Sequence, residues 1–252
     1  QKLLPSIEYI YDKSSNTLPE KFITEHSIIN AYLYKSGKND QIVASEYDNL
    51  FKIDWVNGQK TGFFIDQREN RQLLGQLSKD KKVLNTFCYS GGFSIFALNG
   101  GAKEVHSLDS SKKAIELVDK NLELIDTNVG KHESIVADAM DFIKNLKEDY
   151  DIIVLDPPAF AKHQKVRHKA IQGYKRLNAR AIEQIKPGGI LFTFSCSQVI
   201  DKELFRHTIL SAAINAGRSV KILHQLHQPA DHPVNIYHPE SEYLKGLVLK
   251  IY

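Results

Sequence analysis

The strongest constraint on the fold is a regular alternation of short apolar runs and amphipathic stretches, which starts near residue 82 and continues to the end of the chain. We predict strands at 83–87, 104–109, 133–137, 151–155, 189–194, 220–224 and 247–251. Helices are predicted between most of them, at about 92–99, 111–124, 139–147, 166–186 and 201–216. Alternating β and α elements build a mostly parallel sheet with helices on both faces, so the predicted fold class is α/β.

The first sixty or so residues have a pattern typical of β-structure instead. Strands at 29–35 and 41–45 flank a turn-like segment, and a strand at 51–56 meets the pair Asn57-Gly58 before resuming at 59–65. An Asn-Gly pair between alternating strands is a strong hairpin signal. With a short helix at about 70–79, this predicts a small β-rich domain over residues 1–68 and an α/β domain over residues 69–252.

Composition excludes several classes of protein. The chain has 42% hydrophobic and 25% charged residues, an ordinary balance for a folded globular protein. No apolar run approaches the length of about 18 residues that spans a bilayer, and we recognise no signal peptide. The chain begins with Gln1, so we expect a trimmed or truncated N-terminus. Two cysteines do not make a disulfide framework, so we expect a reducing, cytoplasmic setting.

The formal charge is only +3, but basic residues are concentrated in one segment just after a candidate active-site loop. The segment contains Lys162, His163, Lys165, Arg167, His168, Lys169, Lys175, Arg176 and Arg180. A basic face beside a catalytic loop suits a phosphate backbone. A solvated helix face explains the same charges equally well.

Ligands of open α/β sheets bind beyond the carboxyl ends of the strands, and the informative residues lie at such ends. After the first strand, Ser90, Gly91 and Gly92 predict a tight turn that lets the backbone approach a ligand closely. Asp109 ends the second strand, where an acidic residue can accept hydrogen bonds from both hydroxyls of a ribose. Capping of the next helix is the alternative role for Asp109.

The third strand ends beside Asp138 and Ala139. Asp138 is a candidate to bind an adenine amino group, and equally a candidate to cap the following helix.

The fourth strand ends in Asp156-Pro-Pro-Ala-Phe160, the most specific of these signals. The two prolines make the loop rigid and aim the aspartate into the cleft, with an aromatic ring nearby to stack on a flat base. Cys196 follows the fifth strand and would lie beside this loop. A buried cysteine is often only a small apolar residue, but the flanking serines and the strand-end position favour a reactive thiol.

These motifs resemble those of the 23S ribosomal RNA 5-methylcytosine methyltransferases of the large-subunit methyltransferase I type. The resemblance covers residues 42 to 252 and occurs in the same order along the chain. Its motifs are Lys60-Thr-Gly-Phe-Phe-Ile-Asp-Gln-Arg68 with Asn70-Arg71, Val83-Leu-Asn-Thr-Phe-Cys-Tyr-Ser-Gly-Gly-Phe93, Asp156-Pro-Pro-Ala-Phe160, Gly173-Tyr174-Lys175, Phe192-Thr-Phe-Ser-Cys-Ser197, Ala230-Asp-His-Pro233 and Tyr243-Leu-Lys-Gly246.

The resemblance implies a Rossmann-like, seven-stranded fold that binds S-adenosylmethionine, with its last strand antiparallel. It also implies a small β-rich domain before that fold, which we expect to help position RNA, and usually a PUA domain that this chain lacks. Two residues depart from the family pattern. Ala159 stands where lysine is common, and Gln198 stands where glycine is usual after Cys196-Ser197. Both are expected near the target base.

The implied reaction is methylation of cytosine at carbon 5, with 23S ribosomal RNA or a large-subunit assembly intermediate as the expected partner. Cys196 would add to carbon 6 of the ring, and Asp156 would hold the cytosine edge and stabilise charge on its ring nitrogen. Phe160 would stack on the flipped base, and Lys162 is a candidate cation for lowering the thiol pKa.

The expected contacts with S-adenosylmethionine come from the strand ends and from the segment before the first strand. They are assigned to Phe87, Ser90, Gly91, Gly92, Asp109, Ser110, Asp138, Ala139, Asp156, Gln67 and Arg68. The expected substrate contacts are Pro157, Phe160, Lys162, Arg71 and Lys175, and no metal site is expected. Asp66 is a further candidate for the cofactor carboxylate or for RNA. Surface salt bridges are the competing explanation for Arg68 and Arg71.

Two other functions stay open from the sequence. Methylation of an exocyclic base nitrogen uses a similar acidic, Pro-Pro and aromatic motif but needs no cysteine. A non-catalytic RNA-binding or ribosome-assembly factor would keep the basic surface without needing the cofactor. A dinucleotide oxidoreductase fits poorly, because the GxGxxG spacing is missing.

Overall fold

The computed structural model describes residues 4–37, 42–126, 129–147, 149–161 and 163–252, with the side chain of Asn16 left out. The chain divides into two compact units, one formed by Gln1–Ala44 with Lys52–Phe64 and the other by Ser45–Phe51 with Ile65–Tyr252. Residues 45–51 and 65–68 therefore belong to the larger unit, whereas the sequence pattern assigned them to the N-terminal domain.

The smaller unit contains an antiparallel pair of strands, β1 (Tyr9–Asp12) and β2 (Ala31–Lys35), and a short helix, α1 (Glu20–His26). Half-buried aromatic rings pack against one another in this unit. Tyr9 packs against Trp55 with ring centroids 5.6 Å apart, and Trp55 Nε1 donates a hydrogen bond of 3.1 Å to the Tyr32 hydroxyl. Of these elements only β2 was predicted, because β1 and α1 lack a clear apolar period.

The next two strands, β3 (Ile42–Glu46) and β4 (Asn49–Ile53), form a hairpin. Its turn consists of Tyr47 and Asp48, both with positive φ. The Asn49 side chain supports this conformation by donating to the carbonyl oxygens of Glu46 at 3.2 Å and Tyr47 at 2.9 Å. The turn is thus stabilised by a side chain that follows it, without glycine.

The predicted hairpin at Asn57-Gly58 is wrong, since no strand occupies residues 59–65. The Asp54 carboxylate accepts a hydrogen bond of 2.8 Å from the Asn57 amide, and the Asp54 carbonyl accepts one of 3.0 Å from Gly58. These local bonds to Asp54 fold the segment into turns, so it cannot extend as a strand.

The larger unit contains the predicted α/β alternation. Its strands are β5 (Lys82–Thr86), β6 (Glu104–Asp109), β7 (Lys131–Val136), β8 (Ile152–Leu155), β9 (Ile190–Ser195), β10 (Val220–Leu226) and β11 (Lys245–Ile251). Its helices are α2 (Arg68–Leu77), α3 (Gly92–Asn99), α4 (Lys112–Leu122), α5 (Ala139–Lys144), α6 (Arg167–Gln184) and α7 (Lys202–Ala216).

The seven strands form one sheet in the order β10-β11-β9-β8-β5-β6-β7. Strand β11 runs antiparallel to both of its neighbours, whereas the pairs from β9 to β7 are parallel. The predicted seven-stranded sheet with an antiparallel last strand is confirmed. Since β5, β8 and β9 are adjacent and parallel, the loops that follow them open at the same edge of the sheet.

The core lies on both faces of this sheet, because successive strand residues point to opposite sides. Along β8, Ile152 and Val154 pack in one cluster with residues of α2 and α3. Ile153 and Leu155 pack in the other cluster with residues of α5, α6 and α7. Within the described residues, no helix is both long and apolar enough to cross a membrane.

A buried ion pair connects the hairpin to α2. Arg71 Nε and Nη2 each lie 2.7 Å from one carboxylate oxygen of Glu46, and both side chains are less than one-tenth exposed. A bidentate pair is the geometry in which two buried charges compensate each other best.

We predict that Glu46→Gln lowers the free energy of unfolding by about 3 kcal/mol, because it leaves the Arg71 charge buried without its counter-ion. Urea denaturation measures this change. The matched control is Glu183→Gln, which removes a carboxylate from an exposed pair with Arg180 and should cost less than about 0.5 kcal/mol. Equal effects of the two substitutions would contradict the prediction.

Candidate active site at the strand ends

The turn after β5 has an unusual backbone. Phe87 and Tyr89 adopt positive φ values of 55° and 47°, and Gly91, which caps α3, has a φ of 77°. Non-glycine residues in this region are strained by about 1 kcal/mol or more and persist where the surroundings hold them. Such strain concentrates at functional sites. The close approach of a ligand to this turn stays a prediction.

Neighbouring elements hold this turn in place. The Tyr89 amide donates to Asp109 Oδ2 at 3.1 Å, and Asn121 Nδ2 of α4 donates to the Ser90 carbonyl at 2.8 Å. A Cβ on Gly91 would lie 3.1 Å from Val118, and one on Gly92 would lie 2.9 Å from Arg71 Cδ. Both glycines are therefore required by packing as well as by the tight turn.

Asp109 lies at the end of β6, facing this turn. Its second carboxylate oxygen accepts from the Ser111 amide at 2.9 Å, while the cap of α4 is Ser111, whose Oγ accepts from Ala114. The predicted capping role therefore falls to Ser111, and Asp109 supports the turn between the strand and the helix. Ser110, between them, is exposed.

Asp138 is the cap of α5, since its Oδ1 accepts from the Asp141 amide at 3.0 Å. The capping alternative is thus realised, and contact with an adenine stays a prediction. Ala139 is buried at the first position of the helix.

Asp156 follows β8 and lies in a cluster of charges. Burial raises the pKa of its carboxyl to about 7, and the negative charge of Asp66 adds to this effect. A hydrogen bond from Gln67 and the positive charge of Arg71 act in the opposite direction. Near neutral pH this carboxyl therefore exists in both protonation states, which suits a group that must donate and accept protons.

Asp66 has one oxygen that needs a ligand. Its Oδ2 accepts a hydrogen bond of 2.7 Å from the Tyr243 hydroxyl, while its Oδ1 is buried without a partner among the described residues. A buried carboxylate oxygen without a donor is costly. The arrangement therefore favours a bound molecule that carries an N–H or ammonium group.

The two cysteines differ sharply in environment. Cys88 is buried, and this burial, followed by the charge of Asp109, raises the pKa of its thiol well above the ordinary value. Cys196 is partly exposed at the end of β9. Burial is the main cause that raises the pKa of the Tyr174 and Tyr243 phenols, and a negative charge at Cys196 adds to it. Cys196 is the cysteine suited to act as a nucleophile.

Ser197 connects the loops after β8 and β9. Its Oγ accepts from the Ala161 amide at 3.3 Å and lies 3.2 Å from the Tyr174 hydroxyl of α6. Phe160 packs on Tyr174 with ring centroids 4.5 Å apart, and Gly173 provides the space, since a Cβ there would lie 2.9 Å from Phe160. One face of Phe160 is therefore occupied within the protein. Pro157, three residues earlier in the same loop, is buried.

Lys245 is a buried cation at this site that the sequence reasoning did not single out. Its Nζ donates hydrogen bonds of 2.7 Å to the carbonyl oxygens of Ser197 and Tyr243, and the residue is only 3% exposed. The available signal was a lysine at the start of a strand whose only other charged residue is Lys250, near its far end. A lysine in that position would be unexpected without a polar partner.

The four remaining predicted residues lie in different environments. Arg68 is on the surface, where it forms a salt bridge with Asp231 and lies over the Tyr47 ring. Arg71 is buried against Glu46, which corrects the expected contact with substrate, because its guanidinium is inaccessible. Lys175 lines a groove formed by helices α5, α6 and α7 and does not face the strand-end cleft. Lys162 lies outside the described residues.

Comparisons with known proteins agree on the kind of protein. The model of the family described as S-adenosylmethionine-dependent methyltransferase matches residues 32–248. The curated protein "Ribosomal RNA large subunit methyltransferase I" of Tolumonas auensis is 39% identical over 255 aligned positions, which cover 99% of this chain and 63% of that protein. The chain thus spans less than two thirds of this relative's length.

Two solved structures are also similar. A putative SAM-dependent methyltransferase from Streptococcus mutans superposes with a TM-score of 0.77 and 26% identity, over 88% of this chain and 58% of that one. A putative methyltransferase complexed with SAH superposes with the same TM-score and 28% identity, over 88% of this chain and 59% of that one.

We predict that Asp156→Asn stabilises the protein at pH 8 by about 2 kcal/mol but has little effect at pH 4.5. The carboxyl has a raised pKa in the folded state, so the folded protein binds more protons than the unfolded chain. Stability is therefore lost as the pH rises from about 4 to about 7. Urea denaturation at several pH values measures the difference.

The control for this measurement is Asp141→Asn, which removes a carboxylate from the exposed side of α5. A stability difference between Asp156→Asn and the wild type that stays constant from pH 4.5 to pH 8 would refute the raised pKa.

Proposed function

The chain belongs to the family of S-adenosylmethionine-dependent methyltransferases, and we propose that it methylates carbon 5 of a cytosine in large-subunit ribosomal RNA through a covalent adduct with Cys196. The observation that carries this proposal is a partly exposed thiol at the end of β9, next to the loop that begins with Asp156. The name of the relative from Tolumonas auensis supports the choice of ribosomal RNA. Reduced thiols and a ribosomal RNA substrate are both typical of the cytoplasm, so we propose that location.

The residues at the strand ends fit the cofactor. The strained turn from Phe87 to Gly92 brings backbone groups close to a ligand, and the Asp109 carboxylate is available to accept from a ribose. Asp66 Oδ1 needs a donor, and S-adenosylmethionine carries an ammonium group. We propose that these groups, with Gln67 and Asp156, form the cofactor site.

The bound cofactor supplies an electrophilic methyl group. Carbon 5 of cytosine is a weak nucleophile, so the base must first be activated. In the proposed reaction the Cys196 thiolate forms a bond with carbon 6, and the ring electrons shift so that carbon 5 becomes nucleophilic. After methyl transfer the carbon 5 proton passes to a solvent water molecule, and expulsion of the thiolate restores the ring double bond.

Asp156 is suited to assist both halves of this reaction. Its pKa of about 7 means that a fraction of the carboxyl is protonated at neutral pH and can donate to ring nitrogen 3 as the thiolate adds. The same group accepts the proton back when the thiolate leaves. Phe160, whose one face packs on Tyr174, offers an aromatic surface beside the base.

A basic groove on the helical face is a candidate contact for the RNA backbone. It has a volume of about 480 Å³. Its lining includes four cations, Lys144, Lys175, Arg176 and Arg180, and two carboxylates, Asp141 and Glu183. We propose that Lys175 binds phosphate in this groove and does not contact the target base. The smaller unit is proposed to contribute to RNA positioning.

The decisive test incubates large-subunit ribosomal RNA that lacks the modification with the protein and S-adenosylmethionine, followed by nucleoside mass spectrometry. We expect 5-methylcytosine from the wild type and a loss of at least about 1,000-fold with Cys196→Ala, because the covalent step is removed. Calorimetry should show that Cys196→Ala still binds S-adenosylmethionine.

Other products would reject the proposal. A methylated adenine or guanine, or activity that survives Cys196→Ala, would indicate methylation of an exocyclic nitrogen. A wild-type protein that does not bind S-adenosylmethionine would indicate a non-catalytic RNA-binding factor.

Substitutions of Asp109 and Asp138 test the proposed cofactor site. Asp109→Asn should weaken S-adenosylmethionine binding about tenfold or more, because a charged acceptor for the ribose is lost. Asp138→Ser retains a residue that caps α5 well but removes the carboxylate. A similar loss of affinity in Asp138→Ser would indicate an adenine contact, and wild-type affinity would leave capping as its only role. Calorimetric titration measures both.

A further inference from the structure

We propose that Lys245 is a positioning residue whose ammonium group stabilises the thiolate of Cys196. This inference rests on the proposed role of Cys196 as the nucleophile. A nearby cation lowers the pKa of a cysteine thiol. The proposal assigns this role to a residue of the antiparallel strand β11, which is far from Cys196 in sequence.

The geometry fixes the ammonium group beside the cysteine. Lys245 stands opposite Ser195 in the register of β11 and β9, so its side chain starts next to the strand end that Cys196 follows. Its Nζ donates to the carbonyl oxygen of Ser197 at 2.7 Å, immediately after the cysteine, and to that of Tyr243 at 2.7 Å. An ammonium group has three N–H donors. Among the described residues these carbonyls use two of them, and the third is available to a thiolate or a substrate.

The charges around this position favour such a pair. A thiolate at Cys196 is the largest of the influences that raise the pKa of Lys245, ahead of Asp201 and Glu242. Lys202 has the opposite, weaker effect and is itself in a salt bridge with Glu242. The phenols of Tyr174 on α6 and Tyr243 before β11 also face the cysteine, and both are neutral at physiological pH.

Burial also affects the charge of Lys245. It lowers the pKa of the ammonium group to about 8, since desolvation disfavours the charged form. The ammonium is therefore mostly present at neutral pH and is lost as the pH rises through about 8. We expect the stabilisation of the thiolate to be complete below that pH and to disappear above it.

The test is the pH dependence of alkylation of Cys196 by iodoacetamide, followed by peptide mapping so that Cys196 is read separately from Cys88. Neither RNA nor cofactor is needed, so failure of the RNA reaction would leave this result intact. The variants are Lys245→Met, which removes charge and donors, and Lys245→Gln, which retains amide donors but no charge. The matched control is Lys250→Met, at the other end of β11, where Lys250 donates to the Gly188 carbonyl.

For the wild type and Lys250→Met we expect the alkylation rate of Cys196 to reach half its maximum at a pH below about 8. The usual pKa of a cysteine thiol is about 8.5. Both Lys245 variants should raise the midpoint by about one pH unit or more, which is about a tenfold smaller thiolate fraction at pH 7. A Lys245→Gln midpoint equal to that of the wild type would overturn the proposal, since only hydrogen bonding would then matter.

The wild-type titration keeps the proposal falsifiable if the variants do not fold, as judged by circular dichroism. A wild-type midpoint at or above about 8.5 would show that no cation stabilises the thiolate, and would refute the role of Lys245 without any substitution.

Discussion

A single buried guanidinium, that of Arg71, connects the parts of the larger unit that form the site. The two oxygens of Glu46 hold it at 2.7 Å, and the Arg71 side chain fills the space that a Cβ on Gly92 would need. Burial raises the pKa of Asp156, and the positive charge of Arg71 partly offsets this effect. The glycine turn, Glu46 of the hairpin and the end of β8 thus lie around one side chain. Because separating a buried ion pair costs several kcal/mol, Glu46 and α2 are held together at this point.

The site concentrates carboxylates that repel each other. Asp66 has a buried oxygen without a donor among the described residues, and its charge helps to raise the pKa of Asp156. Such an arrangement is unfavourable in the absence of ligands, and the two apolar layers of the sheet supply the stability that offsets it. A hydrogen-bond donor at Asp66 Oδ1 would relieve this cost, which is why we propose Asp66 as a contact of the cofactor's ammonium group.

The sequence predicted those features that arise from local pattern. Strands β8, β9 and β11 have the apolar runs of a buried sheet, and Asp156 and Cys196 were recognised because they follow such runs. The turn at Tyr47 and Asp48 was not predicted, because its support comes from the Asn49 side chain and not from an Asn-Gly pair. The burial of Arg71 and the position of Lys245 depend on Glu46 and Ser197, which are 25 and 48 residues away along the chain. Contacts over such distances leave no periodic signal.

The two cysteines show that a strand-end position alone does not determine the environment of a thiol. Cys88 follows β5 as Cys196 follows β9, and both strands are central and parallel. Cys88 is enclosed beside the turn and shares its surroundings with the Asp109 carboxylate, so both burial and charge keep its thiol protonated. Cys196 is partly exposed and lies next to the strand that reverses direction, which brings the ammonium group of Lys245 to the end of β9. The antiparallel direction of β11 therefore determines where the Lys245 ammonium group lies. A parallel β11 would begin at the opposite edge of the sheet, and Lys245 would lie away from the thiol.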